Sequence, residues 1–188
     1  MKQLIAFLLV AVSVSAHAGR TIIDENGVDL MKAQKVYTLV NLHPDEQNSR
    51  LYAVNYQLPG LIPLCTEVKL EKLGRKKLVF TVPDRGFREY TYYYHKAAAE
   101  PFDKHLTLFF GTTCNKNKVA QLSKKDQEGI SKGVALPGMT KQGVLYAMGR
   151  PPKHVNPTLD TLEWMYWRNK FGRRAVMFDA NGIVTGTR

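Results

Sequence analysis

Turn-forming residues break the chain between His43 and Thr113 at intervals of about 8–12 residues, and that spacing limits what this half can fold into. Pro59-Gly60, Gly74 within a cationic run and Pro83-Asp84-Arg85-Gly86 are the strongest of these signals. The stretches between them read as short strands: Lys35 to Asn41, Leu51 to Leu58, Leu64 to Leu70, Leu78 to Val82, Phe87 to His95 and His105 to Thr113. Leu64, Thr66, Val68 and Leu70 alternate with Cys65, Glu67 and Lys69, which is the period-2 pattern of a half-buried strand. Many short strands separated by turns predict a small antiparallel barrel or sandwich.

The periodicity changes after the polar stretch Asn115-Lys116-Asn117-Lys118. Ser123 is placed to cap a helix running through Lys132, with Asp126 at the third helical position and Gly133 able to end it. Thr140 is placed to cap a second helix with apolar Val144, Leu145 and Met148, and Gly149 with Pro151-Pro152 stops it. Three strands follow, at about Glu163–Arg168, Arg174–Phe178 and Ile183–Thr187, with Asn181-Gly182 turning the last hairpin. The predicted fold is therefore α+β. Residues 19–115 are expected to form a small antiparallel β-barrel, and residues 116–188 two helices with a three-stranded antiparallel sheet.

Residues 1–18 are set apart by chemistry. A basic start at Lys2, an apolar run from Leu4 to Ala16 and the triplet Ala16-His17-Ala18 make the three-part pattern of a secretory signal peptide. Cleavage is expected after Ala18, leaving a periplasmic chain with no transmembrane segment; an uncleaved anchor is the alternative. The formal net charge is +11, and about +10 once Lys2 is removed, which favours anionic partners and is compatible with peripheral contact with an anionic membrane surface. Export argues against a nucleic-acid partner. Cys65 and Cys114 would meet in a compartment that permits disulfides, where a bridge would stabilise by roughly 3–4 kcal/mol; two buried free thiols are the other reading.

Catalytic chemistry leaves no recognisable mark. His43, His95, His105 and His154 fall on separate elements, and no H-E-x-x-H, C-x-x-C, G-x-S-x-G or phosphate-cradling glycine loop occurs, so no metal, cofactor or catalytic residue is expected. Recognition is better represented. Tyr90, Tyr92 and Tyr94 share one face of a strand and Tyr93 lies on the other with Thr91 and His95, so this run is a candidate binding surface as well as ordinary strand sequence. Lys69, Lys72, Arg75, Lys76 and Lys77 make a basic tip, either a solvated turn or an anion-binding patch. Trp164 and Tyr166 point to one side of their strand and Met165 and Trp167 to the other, so one pair covers the helices and one is left outside.

The ordered motifs Leu136–Pro152 (LPGMTKQGVLYAMGRPP), Glu163–Trp167 (EWMYW) and Arg173–Val184 (RRAVMFDANGIV) resemble the SmpA/OmlA, or BamE-like, envelope family. That resemblance implies an envelope adaptor without a catalytic centre, built on a fold shared with β-lactamase-inhibitor proteins. The family's assembly-machine members are lipoproteins, and the chain has no lipidation cysteine after the signal segment, so membership of that machine is not expected. The first half more loosely resembles an SH3-like barrel, through Ile62 to Val68. The function expected is an exported, non-enzymatic binding or scaffold protein of the cell envelope that recognises a protein or peptidoglycan. An inhibitor or regulator of a secreted hydrolase, acting through Met165 and Trp167, is the alternative. A hydrolase would require a cleft that joins histidine and carboxylate side chains.

Overall fold

The computed structural model describes residues 20–114 and 116–188, so the signal segment and its cleavage after Ala18 lie outside the described residues. The chain folds as mixed α+β, with a six-stranded and a three-stranded sheet. The larger sheet comprises β1 (Val36–Thr38), β2 (Arg50–Tyr52), β3 (Glu67–Leu73), β4 (Lys77–Val82), β5 (Arg88–Tyr93) and β6 (Phe110–Gly111), in the order β2-β5-β4-β3-β1-β6. Helix α1 (Phe102–Leu106) lies between β5 and β6, helices α2 (Lys116–Ala120), α3 (Lys124–Lys132) and α4 (Lys141–Met148) follow β6, and then comes the meander β7 (Glu163–Trp167), β8 (Arg173–Phe178) and β9 (Val184–Thr187).

Three local expectations need correction. The larger sheet is not wholly antiparallel, because β2 pairs parallel with β5, placing Tyr52 opposite Tyr93. The strand expected from Leu51 to Leu58 ends at Tyr52, since Asn55 turns the chain with a φ of 51° and sends Asn55 and Gln57 towards α4. The strand expected from His105 to Thr113 is reduced to the two residues of β6, since His105 and Leu106 end helix α1 and residues 107–109 turn. Phe102, His105 and Leu106 are buried, and their spacing of three and four residues puts them on one helical face rather than on alternate faces of a strand.

The second-half elements form where their caps dictate. Ser123 Oγ accepts from the Asp126 amide at 3.0 Å, and Thr140 Oγ1 accepts from the Gly143 amide at 3.0 Å, each satisfying a donor that the helix cannot. Asp126 does more than a capping-box carboxylate. Its Oδ1 accepts from the Thr140 amide at 2.7 Å and from the Thr140 hydroxyl at 3.1 Å, joining the N-termini of α3 and α4. The two pack so closely there that a Cβ on Gly143 would lie 1.9 Å from that same oxygen.

One apolar cluster runs through both sheets, with Val68, Phe80, Tyr90, Tyr92 and Phe110 from the first and Trp164, Tyr166, Val176 and Phe178 from the second, joined by Val144, Ala147 and Met148 of α4. Polar groups of the first half also end α4. Ala147 C=O accepts from Asn41 Nδ2 at 3.2 Å and His43 Nε2 at 3.0 Å, and Met148 C=O accepts from Asn55 Nδ2 at 2.7 Å and Gln57 Nε2 at 3.0 Å. Tyr166 OH donates to Gly149 C=O at 2.9 Å, and Asn55 Nδ2 also to Arg150 C=O at 2.9 Å. The carbonyls that a helix C-terminus leaves unpaired are thus satisfied by side chains more than ninety positions away in sequence. Cys65 and Cys114 are disulfide-bonded, with Cα atoms 5.2 Å apart.

Candidate functional site

The tyrosine run of β5 divides by strand alternation, but the faces are the reverse of a triple-tyrosine binding surface. Tyr90 and Tyr92 are 0% and 2% exposed and belong to the core, which removes them as docking residues. The physical reason is packing: Tyr90 stacks on Phe80 at 5.6 Å, and Tyr92 contacts Phe102, Phe109 and Phe110. Each phenol still finds a polar partner, Tyr90 in Glu46 at 2.9 Å and Tyr92 in His105 at 2.9 Å. Tyr94 is half-buried against Phe102 and donates to Glu100 C=O at 2.7 Å, a structural role.

Tyr93 faces outward and heads an aromatic ridge that the strand pairing assembles. Its ring stacks on Tyr52 of the parallel neighbour, with centroids 5.9 Å apart, and Tyr52 in turn meets Tyr56 at 5.2 Å. Tyr56 then lines a surface hollow of about 130 Å³ with Val54, His95, His154, Trp167 and Lys170. Trp167 lies parallel to the His154 ring at 6.1 Å, and the Arg173 guanidinium sits 4.3 Å from the indole centroid. Arg50 lies 5.9 Å over Tyr93 at the far end. Tyr52, Tyr56, Tyr93 and Trp167 are each half-exposed, while the flanking Arg50, Lys170 and Arg173 are exposed and form no ion pair among the described residues. Burial pushes the Tyr56 phenol up, so it stays a neutral donor.

Met165 is half-buried, and its strand edge is covered. Its amide donates to Asn156 Oδ1 at 2.7 Å, its carbonyl accepts from Asn156 Nδ2 at 2.8 Å, and the Gln57 amide donates to Trp167 C=O at 2.8 Å. Trp164 and Tyr166 form the inner pair, at 1% and 0% exposure. The structure therefore joins Tyr93 and Trp167 into one surface and adds Tyr52 and Tyr56. Tyr52, Val54 and Tyr56 already alternate in the sequence, but nothing there shows that β2 would lie beside β5.

A second concavity, a cleft of about 360 Å³, separates the α1 region from the segment Arg150–Asp160 and joins His105 to Glu100. Burial pushes the His105 imidazole down to about 4. The Tyr92 hydroxyl is held well above the ordinary phenol range by complete burial and has no other hydrogen-bond partner, so it donates to His105 Nε2. The neutral ring consequently carries its proton on Nδ1. That N–H has no acceptor among the described residues: Glu100 Oε2 lies 3.9 Å away, beyond hydrogen-bonding distance, and Glu100 Oε1 is 3.5 Å from Lys153 Nζ. His95 lines the hollow instead, and among the described residues no three His, Cys, Asp or Glu side chains are grouped to hold a metal ion.

Comparison of the chain with protein-family models, with curated proteins and with solved structures finds no match.

Proposed function

We propose that the protein is an exported, non-enzymatic binding or scaffold protein of the bacterial cell envelope, which recognises a protein or cell-wall partner through the Tyr93–Trp167 ridge. The observation that carries this reading is the run of four half-exposed aromatic rings bordered by three exposed cations without ion partners among the described residues. Flat rings supply contact area at small entropic cost, and unpaired guanidinium and ammonium groups select carboxylates. An acidic peptide segment, or the carboxylate-bearing peptide of peptidoglycan, fits both requirements. The exposed cations Lys72, Arg75, Lys76 and Lys77 of the β3–β4 tip are suited to an anionic lipid surface as a peripheral contact.

Export is supported by the composition of residues 1–18 and by the disulfide, which suits an oxidising compartment. Two capped helices followed by a meander are compatible with the BamE-like second half that the SmpA/OmlA resemblance implies, and the SH3-like reading of the first half rests on the resemblance of Ile62 to Val68 alone. The His105 lone pair is taken up by Tyr92, so the imidazole offers the cleft a donor and no base. That favours binding over hydrolysis. Inhibition of a secreted hydrolase would use Trp167 as well, but from a covered strand edge rather than an open one.

Sedimentation of residues 19–188 with purified peptidoglycan sacculi, and cross-linking in envelope extract, test the reading. Binding is expected to fall at least about tenfold on Tyr56→Ala, Trp167→Ala or Arg173→Ala, a typical loss for an aromatic or arginine anchor. Retention by neither sacculi nor a specific envelope protein would refute it.

A further inference from the structure

The cleft between α1 and the Arg150–Asp160 segment carries chemistry that the aromatic ridge does not use. Its floor holds a donor and an acceptor that face one another without meeting, His105 Nδ1–H and Glu100 Oε2, 3.9 Å apart. His105 is 4% exposed, so the unpartnered N–H is buried, and such groups in folded proteins call for an explanation. The gap is too wide for a direct hydrogen bond and too narrow for two intervening atoms. By separation alone, one oxygen about 2.8 Å from each would bridge the pair, provided that it accepts from the imidazole and donates to the carboxylate.

We propose that this cleft binds a hydroxyl-rich ligand, a saccharide or polyol, with one hydroxyl bridging His105 Nδ1–H and Glu100. The hydroxyl is the group that performs both roles at once. An ammonium has no lone pair for the imidazole N–H, and a ligand carboxylate would face the Glu100 charge. The walls agree with this chemistry. Pro157 is exposed and presents a rigid apolar surface on which the C–H face of a sugar ring can lie, Pro151 and Pro152 are buried parts of the wall, and Arg150, Lys153 and Thr158 at the rim supply groups for further hydroxyls. The site goes beyond the proposed docking ridge. Ala97 and His154 line the hollow of the ridge while their neighbours Ala98 and Lys153 line the cleft, so one wall separates the two.

The test titrates residues 19–188 with N-acetylglucosamine, glucose and glycerol, against sodium acetate and methylammonium chloride, observing the His105 ring nitrogens by NMR. At least one hydroxylated probe is expected to shift the Nδ1 signal with a Kd on the order of 1 mM, while acetate and methylammonium leave it unmoved. Glu100→Ala is expected to weaken that binding about tenfold, the loss of one charge-assisted hydrogen bond, without changing the fold. His105→Phe should abolish it. If the His105 variant fails to fold, Glu100→Ala carries the test alone. Arg173→Ala, which weakens the docking ridge, should leave the titration unchanged, so the two readings fail separately. No response to any hydroxylated probe would mean a pair bridged by water alone and would overturn the proposal. Binding that survives Glu100→Ala, or a preference for acetate, would overturn it equally.

Discussion

At the scale of single residues, two buried polar groups set measurable consequences. Asp126 is fully buried, accepts from Ser123 and Thr140, and leaves no room for a Cβ on Gly143. A glycine within a helix normally becomes more stable on change to alanine, by up to about 1 kcal/mol. Here Gly143→Ala is expected to destabilise by about 2–3 kcal/mol through overpacking against the carboxylate. Asp126→Ala should cost a similar amount by stranding the Thr140 amide. Because removing the Asp126 carboxylate also removes what the new methyl of Gly143→Ala would strike, the double variant should be markedly less unstable than the sum, a coupling read by urea denaturation. His105 supplies the pH dependence. Its pKa is about 4 in the folded chain against 6.5 when unfolded, with Glu100 opposing the larger effect of burial. The unfolded state therefore binds the proton first, and stability is complete above pH 6.5 and falls as pH drops towards 4, by about 3 kcal/mol. Burial lowers the His43 pKa as well, which adds to the fall in the same direction. His105→Gln keeps an acceptor for Tyr92 and should flatten most of this slope; an unchanged slope would show that other groups set it.

At the scale of elements, the sequence was most legible where side chains act on their own neighbours. Ser123 and Thr140 cap α3 and α4 as their positions predict, Gly133 and Gly149 end them, and β7, β8 and β9 lie within a residue of their expected limits. Alternation in β5 separated Tyr93 from Tyr90 and Tyr92, yet the alternation alone does not say which face is inward. Three tyrosines on one face read as a docking surface, whereas their ring area, once paired with Phe80 and Phe102, is worth more in the core. Nothing in the sequence marks Tyr52 and Tyr56 as neighbours of Tyr93, because a parallel β2–β5 pairing is a long-range choice without a turn to announce it. The α1 pattern is readable, since His105 and Leu106 follow Phe102 by three and four residues and all three are buried. Helix α4 shows the long-range choice most plainly. Asn55 donates to both Met148 and Arg150 carbonyls, so Asn55→Ala strands the Arg150 acceptor and leaves Met148 with Gln57 alone. A loss of about 1–3 kcal/mol is expected, with the amides of α4 exchanging faster in hydrogen-exchange measurements.

At the scale of the whole molecule, the question is whether the halves on either side of residue 115 unfold separately. Compositional change at Asn115 to Lys118 predicts two units, and the element types do change there. The energetics run across it. The apolar cluster includes residues of both sheets, and the C-terminal carbonyls of α4 depend on Asn41, His43, Asn55 and Gln57. If the first half unfolded alone, those carbonyls would lose their partners and Val144, Ala147 and Met148 would lose part of their cover. Neither half therefore gains by leaving the other. Calorimetry of residues 19–188 should show one transition, with van't Hoff and calorimetric enthalpies equal. The disulfide lies within the first half and spans a sequence separation of 49, so its reduction should remove about 4 kcal/mol through the unfolded state. For a chain of this length that is a fall in Tm of about 10 °C. Under the shared core, the reduced protein must still melt in a single step, because the second half is drawn down with the first. Two transitions on reduction, with only the lower one shifted, would mean that the halves are independent and that α4 keeps its end without help.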